Sequence, residues 1–149
     1  MKKHSVTVGS DIKKEQIIIN NRSLKDINYT YKSRFDDSLS SNPGEHMAAA
    51  HAGSFSMKLS NNLSEAGYFP DRLETTCDIV VVNGIITKSI LTLTARINNI
   101  SEHTFKEMAY NTLDTCPISM ALNVEIVLHV NLEQDTEIIN RLMDAELVY

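Results

Sequence analysis

Apolar residues change their spacing several times along this chain, and each change marks an element. Leu91, Leu93, Ala95 and Ile97 alternate with Thr92, Thr94 and Arg96, the period of a strand with one buried face. The whole stretch from Leu73 to Ile97 predicts two long strands joined at Asn83-Gly84, the preferred dipeptide of a tight hairpin turn. Phe105, Met108, Ala109, Thr112 and Leu113 then fall at i, i+3, i+4, i+7 and i+8, which predicts an amphipathic helix entered through Ser101 or Thr104. Cys116-Pro117 opens a short helical turn reaching Leu122. Val124, Ile126, Leu128, Val130 and Leu132 return to alternation as a last strand, and Asp135 to Leu147 reads as a terminal helix with Ile138, Ile139, Leu142 and Met143 on its inner side.

The first half of the chain is less regular. Ser5–Val8, Gln16–Ile19 and Tyr29–Tyr31 lean toward strand, with turn chemistry at Gly9-Ser10-Asp11 and at Asn20-Asn21. Residues 36–41 are polar and read as a loop. A helix then begins at Asn42-Pro43-Gly44-Glu45, with Asn42 as cap, Pro43 at the first helical position and Glu45 placed to return a capping bond. From Met47 to Met57 this helix is apolar on almost every side, and it carries the small residues Ala48, Ala49, Ala50, Ala52 and Gly53. Such a helix is surrounded by protein, and its small residues would let a second backbone come close. Leu59, Leu63 and Ala66 continue one apolar stripe until Gly67 ends the helix. Strands, long helix, hairpin, helices, strand and helix in that order predict an α+β fold, and 149 residues suit a single domain.

Composition removes several classes of function. A formal net charge of -5 leaves no basic surplus for phosphates, so nucleic acid is not an expected partner. No apolar run approaches the roughly 20 residues of a bilayer span, and Met1-Lys2-Lys3-His4-Ser5 leads into polar sequence, so a cytoplasmic protein without membrane contact is expected. The 5 histidines show no ligand spacing, and the 2 cysteines, Cys77 and Cys116, make no metal site, so no metal or other cofactor is expected. Cys77, between Thr76 and Asp78, reads as a small core residue. Met47, Met57, Met108, Met120 and Met143 fall on predicted apolar faces and read as core. His51 and Ser54 lie one turn apart, but no G-x-S-x-G turn accompanies them, so His51 reads as a satisfied core histidine and not as a serine hydrolase base.

The run from Asn42 to Met57, Asn-Pro-Gly-Glu-His-Met-Ala-Ala-Ala-His-Ala-Gly-Ser-Phe-Ser-Met, resembles the signature helix of the OsmC/Ohr family of small thiol peroxidases. Arg34-Phe35 before it, Glu65-Ala66-Gly67-Tyr68 after it and Cys116-Pro117-Ile118-Ser119 are similar to further family motifs, so that the likeness spans about residues 25 to 132. The resemblance implies an OsmC-like fold, with antiparallel sheets wrapped around long central helices in an intertwined homodimer. It also implies thiol-dependent reduction of hydroperoxides in oxidative-stress defence. By the same resemblance Cys116 stands at the resolving position and Arg34 at that of the arginine which holds the attacking thiolate. Ser54 stands where the attacking cysteine belongs, and Gly44 where its glutamate helper belongs.

Those two replacements change the chemistry. A thiol near pKa 8.5 can be lowered into working range by its surroundings, whereas a serine hydroxyl cannot, and it has no counterpart of the sulfenic acid in the cysteine cycle. Glu45 does not replace the lost glutamate: on a helix turning about 100° per residue, position 44 lies about 80° around the axis from Ser54, and position 45 about 180°. The expectation is therefore an impaired peroxidase whose pocket, near Ser54, Arg34 and Cys116 at the dimer interface, takes a small apolar or anionic ligand. The alternative is a working reductase of organic hydroperoxides that uses Cys116 as its only pocket thiol, with backbone N–H groups behind Pro117 favouring the thiolate.

Overall fold

The structure, a computed structural model, describes residues 2–11, 16–19 and 43–135, with side chains described for 43–135. Five strands form one sheet in the order β2-β1-β3-β4-β5, where β1 is Lys2–Asp11, β2 Gln16–Ile19, β3 Arg72–Val82, β4 Ile85–Arg96 and β5 Glu125–Glu133. Three helices accompany it: α1 Pro43–Glu65, α2 Glu102–Thr115 and α3 Pro117–Ala121. This is the α+β architecture the alternating patterns predict. All strand pairs are antiparallel except β4 with β5, which run parallel because the connection through α2 and α3 carries the chain back to the same end of the sheet.

The β3–β4 hairpin turns at Asn83 and Gly84, both with positive φ, 51° and 77°, as a two-residue loop matched to the twist of its strands requires. On β3, Leu73, Thr75, Cys77 and Ile79 point inward, and on β4 Ser89, Leu91, Leu93 and Ala95 do the same, all without exposed surface. Phe55, Leu59 and Leu63 of α1 and Phe105 and Ala109 of α2 are packed into the same core cluster. Ser101 is the cap of α2: its hydroxyl accepts from the Thr104 backbone N–H, which settles the choice left open between Ser101 and Thr104.

Several expectations need correction. Gly9-Ser10-Asp11 is not a turn; β1 runs on through Asp11, because Gly9 and Ser10 pair with Glu74 and Leu73 of β3, and sheet hydrogen bonds override a local turn preference. Met57 and Met120 are 59% and 73% exposed rather than core, while Met47 and Met108 pack against the core in part. Ala66 is exposed, since α1 ends at Glu65 and the buried stripe stops with Leu63. The cap at Asn42, the turn at Asn20-Asn21, the strand at 29–31, the loop at 36–41 and the helix expected after Asp135, with Met143, lie outside the described residues.

Gly67 closes α1 as the sequence indicates. Its φ of +85° lets the Tyr68 N–H reach the Leu63 carbonyl at 2.8 Å and its own N–H the Ser64 carbonyl at 3.0 Å, the paired bonds of a Schellman cap. A Cβ at Gly67 would touch nothing within 4 Å, so the conformation and not crowding demands glycine. Gly67→Ala is expected to lower stability by about 1 kcal/mol, read as a shift in the urea unfolding midpoint with unchanged slope.

Candidate functional site

Ser54 and Cys116 come from elements far apart in sequence and meet at the edge of the core cluster, to which Cys116 belongs. Ser54 lies in the middle of α1, half-buried, between the buried Gly53 and Phe55. Cys116 is the junction residue between α2 and α3, with no exposed surface. The Ser54 Oγ and the Cys116 Sγ are 3.3 Å apart, within hydrogen-bonding distance for sulfur. The two residues that the resemblance singles out are thus neighbours in the fold. Arg34 lies outside the described residues.

Burial pushes the Cys116 thiol up, but hydrogen bonds outweigh it. The Ser119 and Ser54 hydroxyls and the backbone N–H groups of Ser119 and Ile118 favour the thiolate, and the net result is a pKa below the ordinary value. Those backbone groups are available because Pro117 starts α3 immediately after the cysteine. Cys77 behaves in the opposite way: burial raises its pKa to about 11, with only Ser89 as a lowering partner, so it is a thiol near neutral pH. Both cysteines are free.

His51, one turn before Ser54 on α1, is fully buried. Its Nδ1 lies 2.6 Å from the Ser89 Oγ on β4, and its Nε2 lies 2.7 Å from the Ser119 Oγ on α3. Both ring nitrogens are thus engaged away from Ser54, which agrees with a satisfied core histidine and removes the imidazole as a base for the Ser54 hydroxyl. Burial lowers its pKa to about 4. The Cys77 Sγ is 3.2 Å from the same Ser89 hydroxyl. Farther along α1, Ser56 donates to the Thr75 hydroxyl at 2.7 Å, so two buried hydroxyls on the inner face of the sheet, Ser89 and Thr75, each find a partner on the helix.

Ser89 and Ser119 were not singled out from the sequence by themselves. A signal for Ser89 exists: it occupies the inward phase shared with Leu91 and Leu93, and a polar side chain on a buried face demands a partner. Position 44 lies in the first turn of α1, which is helical without interruption from Pro43 to Glu65. On this unbroken helix Gly44 lies about 80° around the axis from Ser54, and Glu45 about 180°.

A family model described as OsmC-like protein matches residues 35–131. The chain is 36% identical over 109 residues to Peroxiredoxin OsmC of Escherichia coli, covering 70% of this chain and 76% of that one. Among solved structures it is similar to an organic hydroperoxide resistance protein from Elizabethkingia anophelis with crystallant-derived thiocyanate bound, with 20% identity, a TM-score of 0.56, and coverage of 72% of this chain and 79% of that one. It is also similar to a putative organic hydroperoxide resistance protein from Vibrio cholerae with captopril bound in one of the active sites, with 20% identity, a TM-score of 0.55, and coverage of 71% and 75%. These structural likenesses carry the fold; the sequence match carries more. With well over half of its length inside the family model and more than a third of the aligned residues shared with a peroxiredoxin, the chain belongs to the OsmC-like family of peroxiredoxin and hydroperoxide-resistance proteins.

Proposed function

We propose that this chain is a member of the family in which the two-cysteine peroxide cycle is weak or lost, and that its site binds a small apolar or anionic ligand. One observation carries the reading: the atom facing the Cys116 sulfur across 3.3 Å is the hydroxyl oxygen of Ser54. An O–O bond is opened by a thiolate that becomes a sulfenic acid and then a disulfide, and an oxygen at that position can enter neither step. Gly44 in place of the glutamate removes a second part of the apparatus the resemblance implies. The relative that holds captopril in one of its active sites supports a site open to small molecules, and the crystallant-derived thiocyanate of the other is an anion. Arg34 is the residue proposed to attract such a charge.

The protein is proposed to act in the cytoplasm as a homodimer of single-domain chains, with the site at the subunit boundary. No helix among the described residues is long and apolar enough to cross a membrane. On α1, Ala50 and Met57 are exposed on either side of the half-buried Ser54, and a Cβ added at Gly53 would meet nothing within 4 Å. A stripe of that kind suits the close approach of a second copy.

A second reading, hydroperoxide reduction through Cys116 alone, is favoured by the lowered pKa of its thiol. Peroxide consumption with a dithiol reductant separates the two. The natural chain is expected to run at the background rate of Cys116→Ser; turnover well above background that disappears in Cys116→Ser would establish the second reading and overturn the first.

A further inference from the structure

Five buried or half-buried side chains, Cys77, Ser89, His51, Ser119 and Cys116, form one continuous chain of contacts that ends on Ser54. It crosses from β3 and β4 through α1 to α3, and its hydrogens can be counted. A neutral imidazole carries one N–H and one bare nitrogen, and each serine hydroxyl has a single proton to give. The depressed pKa of His51 keeps the ring neutral near pH 7.

Consider the ring proton on Nε2. It is donated to the Ser119 oxygen, which leaves the Ser119 proton for the Cys116 sulfur. The bare Nδ1 then takes the Ser89 proton, and the Ser89 oxygen accepts from the Cys77 S–H, a thiol that the apolar surroundings keep protonated. Every donor has an acceptor, and Cys116 as a thiolate receives hydrogens from Ser119 and Ser54. Now place the proton on Nδ1. It is donated to Ser89, the bare Nε2 takes the Ser119 proton, and Ser119 has only lone pairs to turn toward Cys116. A thiolate there would face lone pairs, so this arrangement requires an S–H. The side chain two contacts away from the sulfur thus decides whether the Ser119 hydroxyl helps or opposes ionisation.

We infer that His51 is a positioning residue for Cys116: held by Ser89 with its proton on Nε2, it turns the Ser119 hydroxyl toward the sulfur and so favours the thiolate. This goes beyond the functional reading above and holds whether or not Cys116 turns over hydroperoxide. Its readouts are protonation states, so its failure and the failure of that reading are separate results.

The test is nuclear magnetic resonance of the full chain labelled with 15N in its histidine rings and 13C at cysteine Cβ, with His51 assigned through its absence in His51→Gln. At a pH where the Cys116 Cβ shift reports a thiolate, the His51 ring is expected to show a protonated Nε2 and a bare Nδ1. A protonated Nδ1 under those conditions overturns the inference, and this arm needs no substitution that could unfold the protein. In the second arm Ser89→Ala removes the partner of Nδ1 without touching Cys116. The Cys116 pKa, followed by the same Cβ shift, is expected to rise by about one pH unit, and to return toward its natural value in Ser89→Thr, which keeps the hydroxyl. No rise in Ser89→Ala, or an equal rise in Ser89→Thr, overturns the proposal, because the effect would then be absent or one of packing.

Discussion

Gly44→Glu combined with Ser54→Cys is expected to raise peroxide consumption by roughly a thousandfold or more over the natural chain, the scale on which members of a catalytic unit act together. Position 54 already faces Cys116 at 3.3 Å, and a sulfur placed there needs only a local rotation to reach the 2.05 Å or so of a disulfide. Position 44 lies on the first turn of an unbroken helix, so a glutamate introduced there falls about 80° around the axis from residue 54, at the position the resemblance implies for the helper carboxylate. Each single change should recover far less. Cysteine alone lacks its helper, and glutamate alone has no sulfur to serve. Thiol titration gives an independent check: after one equivalent of peroxide the double variant should retain only the Cys77 thiol. If the double variant consumes peroxide no faster than the natural chain, the placement of the catalytic motif on these residues is wrong.

Acidification from pH 7 to 4 is expected to cost the folded state about 3 kcal/mol through His51 alone. In the fold the ring's pKa is lowered from 6.5 to about 4 by burial, so between those values the unfolded chain binds a proton that the folded chain refuses. Stability contributed by the neutral ring is therefore complete above about 6.5, declines as the pH falls through the window, and is exhausted below about 4. At about 1.4 kcal/mol per pH unit the window amounts to the figure given, an order-of-magnitude value. His51→Gln retains a donor and an acceptor between Ser89 and Ser119 but has no proton to gain. Urea unfolding of both proteins at pH 7, 5.5 and 4 would show the natural chain losing stability more steeply than the variant. Parallel declines would place the acid sensitivity elsewhere.

The parts of the fold legible in the sequence were those fixed by neighbours. Pro43 starts α1, Asn83-Gly84 turns the hairpin, Ser101 caps α2 and Gly67 ends α1, each because one residue type meets a local backbone requirement. The inward faces of β3 and β4 were legible because an alternating pattern leaves one choice of buried side. The length of β1 was not, since Gly9 and Ser10 favour a turn by themselves and are held extended by Glu74 and Leu73, which a local reading does not see. The exposure of Met57 and Met120 was missed for a related reason: an apolar helix position is buried only if something in the fold arrives to cover it.

The site divides in the same way. Ser54 and Cys116 could be paired through the resemblance of two short motifs, and they do meet. The link from His51 to Ser89 and Ser119 depends on three elements arriving at one point, and no spacing along the chain announces it. Only the unusual phase of Ser89 hinted that a buried hydroxyl awaited a partner.

The order of strands in the sheet also sets a timetable for synthesis. β1 sits between β2 and β3, and its Lys2 pairs with Val81, 79 positions later (81 minus 2). A ribosome adding about 5–20 residues per second would take roughly 4–16 s to supply that partner. During that interval one edge of β1 has no strand beside it. The nascent chain must therefore carry an open edge for seconds before its neighbour emerges, and that is the stage at which a holding chaperone would matter most.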